Sequence, residues 1–90
     1  MGTINVRIKI MPSSPNSDLE EIKEKSRKTI EREGGRGCIF DEEPIAFGLK
    51  AVIVTFLYPE EKEIDSMENH LGKIDDVNSV QVVDIRRAFG

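Results

Sequence analysis

The chain has one cysteine, Cys38, and one histidine, His70. A lone cysteine cannot close an internal disulfide, and the pair is too small a ligand set for zinc or an iron-sulfur cluster. Folding has to come from packing alone, with no metal and no cofactor. Also missing is any apolar run near the roughly 20 residues of a membrane helix. Nor is a secretory leader expected, since Asn5, Arg7 and Lys9 interrupt the apolar residues from Ile4 to Met11 at every second place. The expected location is the cytoplasm, away from any membrane. Positive charge is not in excess either: 13 Lys+Arg against 17 Asp+Glu give a formal charge of -4, which repels a polyanion unless the cations gather on one face. Direct nucleic-acid binding is not expected. Ninety residues make one domain, 1-90, and exclude a multidomain enzyme.

What is present favours strands. Eleven Ile and seven Val stand against four Leu, and a branched Cβ packs well on a pleated surface. Ile4, Val6, Ile8 and Ile10 alternate with polar residues, which predicts a first strand over 3-11 with one wet face. Pro12 to Asn16 stops it. Ser17 with Glu20 forms a capping box for a helix that starts at Asp18, buries Leu19, Ile22, Ser26, Thr29 and Ile30, and ends near Glu33. Gly34-Gly35-Arg36-Gly37 allows positive φ and a flexible exit. Cys38 to Glu43 reads as a short edge strand running into Pro44, which has no N–H to donate. Leu49 to Tyr58 is apolar on both faces and belongs in the sheet centre. Acidic residues after Pro59 predict a second helix beginning near Glu61, with Ile64, Met67, Leu71 and Ile74 in one stripe. Asp75-Asp76 turns the chain into a last strand, Val77 to Arg87.

This order is that of the α+β, ferredoxin-like βαββαβ sandwich: a four-stranded antiparallel sheet with two helices on one face and the first and third strands central. The helices are expected to cover Val6, Ile8, Ile10 and Ile53. Val52, Val54, Phe56 and Tyr58 would then occupy the uncovered face, or their alternates in the opposite register.

Sites for chemistry are scarce. His70 stands beside no nucleophile motif and reads as a surface histidine; Cys38 reads as a half-buried strand residue. Glu42-Glu43 and Glu60 to Glu63 lack the spacing and turn glycine of an oxygen-ligand loop. Gly34 to Gly37 leaves a helix and enters a strand, the reverse of a phosphate loop. The fold itself serves acylphosphatases, RNA-recognition modules, metallochaperones and ligand-sensing domains, so motifs must choose. The aromatic RNA-binding strands, the cysteine pair and the arginine of a phosphate-holding first loop are all absent. No catalytic residue is expected.

One stretch is specific. Glu42-Glu43-Pro44-Ile45-Ala46-Phe47-Gly48-Leu49-Lys50 resembles the loop that marks archaeal translation elongation factor 1-beta and the C-terminal domain of its eukaryotic counterpart. The resemblance continues through Ile8 to Pro12, the Ser-Pro turn before Asp18-Leu19-Glu20, and Val82 to Arg87, which is nearly the whole chain. It implies the same fold and guanine-nucleotide exchange on elongation factor 1-alpha, in its GDP-bound and empty forms. The implied partner-binding residues are Pro44, Ile45, Ala46, Phe47 and Gly48, with Pro44 stiffening the approach, Gly48 freeing the backbone and Phe47 as the projecting anchor. A core role for Phe47, capping the end of the sheet, is the competing reading. The eukaryotic pattern ends on a lysine thought to disturb the magnesium site, whereas here the last residues are Ala88-Phe89-Gly90. Arg86 and Arg87 are the nearest cations and are the expected partners of acidic groups on the GTPase. The alternative function is a small regulatory or ligand-sensing domain that dimerises through its open sheet.

Overall fold

A computed structural model describes residues 2-88. The alternating N-terminal segment is strand β1, Thr3–Pro12, followed by helix α1, Leu19–Arg32, strand β2, Arg36–Pro44, strand β3, Lys50–Pro59, helix α2, Ile64–Gly72, and strand β4, Val77–Arg87. The strands form one antiparallel sheet in the order β2-β3-β1-β4, so β1 and β3 are central as expected of the ferredoxin-like sandwich.

The register decides the core. Val6 pairs with Phe56, Ile8 with Val54 and Ile10 with Val52, and directly opposed residues share a face. These six, with Tyr58, pack under Ile22 and Ile30 of α1 and Met67 and Leu71 of α2. Here the expectation for β3 is corrected. Ile53 pairs with Lys9 and Asp41 and lies on the face away from the helices, while Val52, Val54, Phe56 and Tyr58 are the core residues. A strand apolar on both sides carries no period of its own, so its orientation is set by the one-sided β1 beside it.

The element ends shift for similarly local reasons. Asp18, not Ser17, caps α1: its carboxylate accepts from Glu21 N at 3.2 Å, while the Ser17 hydroxyl accepts from Ser14 N at 3.2 Å. Helix α2 starts at Ile64 rather than near Glu61. The residues before it form a turn closed by Lys62 N to Pro59 O at 3.2 Å, and Glu60 N is taken by Gly2 O at 3.1 Å. Strand β2 begins two residues early, at Arg36, and carries a bulge between Arg36 and Ile39 where Gly37 adopts φ 68°. Only a glycine enters that conformation without strain.

Candidate partner-binding site

The turn joining β2 to β3 is short and closed by its own backbone. Pro44 and Lys50 form the last pair of the ladder. Beyond them Ile45 N donates to Leu49 O at 2.7 Å, and Leu49 N donates to Ala46 O at 3.3 Å, drawing Ala46–Gly48 into a single tight turn. To close in so few residues the chain passes through two successive left-handed positions, Phe47 at φ 63°, ψ 32° and Gly48 at φ 77°. Glycine takes that conformation freely; a phenylalanine there costs roughly 1 to 2 kcal/mol. The strain is not offset by burial, since Phe47 is 93% exposed. The core reading of Phe47 therefore has no packing to support it. Pro44, Ala46 and Gly48 are exposed beside it, and Ile45 is half-buried as the inward foot of the turn. The loop after β1 stands alongside, with a Cβ on Gly48 falling 3.9 Å from Pro15 Cβ.

Arg86 and Arg87 are elsewhere. They pair with Asn5 and Ile4 at the start of β1, whereas the turn lies past Pro12 at its end. Seven residues at about 3.3 Å each separate the two ends by about 23 Å. The arginines also part from each other, because neighbours in a strand point to opposite faces. Arg86 Nε lies 2.8 Å from Asp84 Oδ2 as an ion pair, and Arg87 Nη2 donates to Glu60 Oε2 at 3.1 Å. The sequence-expected residues thus form one coherent cluster, 44-48, and two separate cations. The final Phe89-Gly90 lies outside the described residues.

The face away from the helices is mixed, with exposed Ile39 and Val83 among charged residues. Lys9 Nζ reaches Glu43 Oε1 at 3.3 Å from β1 to β2 across the intervening β3, over the strip that holds Ala51 and Ile53. That strap explains why these two residues are 0% and 6% exposed on a face no helix covers. Arg7, which sequence reasoning treats only as a polar position of β1, sits at the middle of this face between Thr55 and Asp84. Its place in an alternating strand is the signal that locates it there.

Nothing else among the described residues assembles chemistry. Among the described residues no group of three or more His, Cys, Asp or Glu is placed to hold a metal, and no helix is long and apolar enough to cross a membrane. Burial pushes the Cys38 thiol above its ordinary pKa, with the Glu31 charge adding to it, the direction that disfavours the nucleophilic thiolate. His70 Nδ1 lies 3.2 Å from Glu33 Oε2, outside hydrogen-bond geometry, in a contact that ties α2 to the end of α1.

Comparison with known proteins gives one consistent result. Residues 5–88 match the family described as the EF-1 guanine nucleotide exchange domain. "Elongation factor 1-beta" of Methanosarcina barkeri is 44% identical over 88 residues, covering 97% of this chain and 99% of that protein. The protein of the same name from Methanocaldococcus jannaschii is 44% identical over 92 residues, covering 98% and 100%. Among solved structures, a chain described as "BlrP1 BLUF" superposes with a TM-score of 0.58 at 12% identity, over 98% of this chain and 56% of that one, a likeness of fold alone.

Proposed function

Because this chain belongs to the family of EF-1 guanine nucleotide exchange domains, we propose that it binds the translation GTPase elongation factor 1-alpha in the cytoplasm and promotes release of GDP and loading of GTP. No covalent bond is made, and the protein is not an enzyme in that sense. The observation that carries the reading is Phe47: a large apolar side chain, 93% exposed and held in a strained left-handed turn. Strain of that kind persists where a binding site requires it. An aromatic presented on a stiff turn loses little side-chain entropy on docking, which suits an anchor.

Exchange then follows from linkage. A protein that binds the empty GTPase more tightly than the GDP-bound form weakens GDP by the same factor by which GDP weakens it. Pro44, Ile45, Ala46 and Gly48 shape the tip around the anchor, and Arg86 and Arg87 offer cations at the far end. A second contact there would span about 23 Å of the GTPase surface. The regulatory-dimer alternative has less to work with, since Ala51 and Ile53 of the uncovered face lie under the Lys9–Glu43 pair and Ile39 and Val83 are left as separate exposed apolar residues there.

The test loads elongation factor 1-alpha with a fluorescent GDP analogue and adds the chain in catalytic amount with excess GTP. Release accelerated well above the spontaneous rate is the expected result. No acceleration at any concentration of the chain removes the proposal.

A further inference from the structure

We propose that Arg7, at the centre of the uncovered sheet face, is a second docking point for the GTPase and receives a carboxylate-bearing segment of it. The inference rests on the exchange reading above.

Three features of the face lead there. The first is a charge left over. Lys9 is engaged by Glu43 at 3.3 Å and Arg86 by Asp84 at 2.8 Å, while Arg7, exposed between them, has no carboxylate within 4 Å among the described residues. Its cross-strand neighbour is Asp84, whose Oδ2 is paired with Arg86. The second is shape. Arg7 stands between two shallow hollows, one of about 470 Å³ reaching over Ile53 to Lys9 and Glu43, the other of about 240 Å³ floored by Asn5 and Thr55. The third is the irregularity of β4. The register slips by one residue opposite Arg7 and Ile8, so Val83 is the extra residue of a bulge, 43% exposed and lining the larger hollow. A bulge re-aims a side chain and is retained where that direction matters. Together they make an apolar lip beside an unmatched guanidinium, in a hollow that runs on to Arg86.

The chemistry of the occupant follows from the count of charges. By register Arg7, Lys9, Arg36 and Arg86 share the face with Asp41, Glu43 and Asp84, four cations against three anions, on a chain that carries -4. One cation in excess gives a polyanion such as RNA only a weak field. One carboxylate at a time suits the site, because a planar guanidinium pairs with it through two parallel hydrogen bonds. A second copy of this chain is disfavoured by the Lys9–Glu43 strap, which a flat sheet-on-sheet contact would bury.

The experiment measures GDP release from elongation factor 1-alpha across a range of concentrations of the chain. It compares the unaltered protein with Arg7→Gln, Arg7→Lys and Arg7→Glu, each first checked by urea melt. Arg7→Gln is expected to raise the half-saturating concentration about tenfold, equivalent to about 1.4 kcal/mol of binding, while the rate at saturation stays within about twofold. Arg7→Lys should fall between, and Arg7→Glu should be weaker than Arg7→Gln, with activity restored by a carboxylate-to-lysine change on the GTPase. If the unaltered chain fails to accelerate release, the exchange reading falls and this proposal with it. If the unaltered chain is active and all three variants match it, only the Arg7 contact is overturned. Binding of a short RNA that depends on Arg7 while exchange does not would also overturn it, assigning the face to nucleic acid.

Discussion

Phe47 gives the sharpest test, because its backbone and its side chain make opposite predictions for stability and function. Replacing it with Asn removes a side chain that is 93% exposed. The buried remainder is about 15 Å² of a ring of roughly 200 Å², which at about 25 cal/mol per Å² is about 0.4 kcal/mol of lost burial. Against this stands relief of the left-handed backbone at φ 63°, a conformation Asn tolerates and Phe does not, for a gain of about 1 kcal/mol. Phe47→Asn should therefore melt in urea within about 0.5 kcal/mol of the parent or up to about 1 kcal/mol above it. Phe47→Ala, which keeps the backbone strain, should change stability by less than about 0.5 kcal/mol. Both variants should slow GDP release at subsaturating concentration tenfold or more, since the loss of a large aromatic anchor costs about 2 kcal/mol or more of binding. A loss of stability above about 1.5 kcal/mol in Phe47→Asn would show that the ring is packed and the turn not left-handed. Unchanged release with unchanged stability would leave the exposed ring without the anchor role.

The other predictions concern the scaffold. Ile8→Ala should cost about 2 to 4 kcal/mol, and Ile53→Ala clearly less, because the Lys9 and Glu43 side chains over Ile53 can settle into the space; the reverse order in denaturant melts would put the helices on the wrong face. Ser26 is fully buried with an unpartnered hydroxyl, so Ser26→Ala should be neutral or stabilising by up to about 1 kcal/mol, and a melt showing a loss above that would reveal a hydrogen bond the geometry does not contain. Glu42 Oε2 accepts from Lys23 Nζ at 2.8 Å, a hydrogen bond that holds the Glu42 carboxyl below its ordinary value near 4.5 and Lys23 above its ordinary 10.5. The lowered carboxyl contributes stability above pH 4.5 that fades as pH falls through its folded value, and the raised ammonium contributes below pH 10.5 and fades as pH rises through its own. Glu42→Gln should flatten both limbs of the stability-pH curve slightly, and limbs unchanged by it would show the pair to be absent in solution.

How far each feature could be read ahead depended on whether the information was local. Alternation in β1 and the apolar stripes of α1 and α2 belong to single segments, so their existence and their buried faces were legible in the residues themselves. The orientation of β3 was not, because Ala51 to Tyr58 offers either face to the helices and only the pairing of Val54 with Ile8 chooses. The start of α2 failed for a tertiary reason: Glu60 N bonds to Gly2, and Lys62 Nζ reaches the carbonyl of Glu33 at 2.7 Å, holding the acidic run in a turn. At the site, Gly48 signalled a bend, but no residue type announces that the preceding phenylalanine will also turn left-handed. Arg86 and Arg87 are separable in the sequence itself, since adjacent strand residues point to opposite faces.

The distance between the two ends bears on how exchange would operate. A contact that is equally good in the GDP-bound and empty GTPase lowers the concentration needed but cannot shift nucleotide affinity; only a contact that differs between the two states does that. An anchor at the turn and cations about 23 Å away are joined by β1 and β3, whose inner faces are packed and whose ladders pair with each other along their length. Such a connection bends little, so a partner gripped at Phe47 meets Arg86 at a fixed position and must adapt to it. On the exchange reading, grip and discrimination can therefore sit at different ends of one sheet. Loss of grip shows as a raised half-saturating concentration with the saturated rate preserved, and loss of discrimination as a reduced saturated rate.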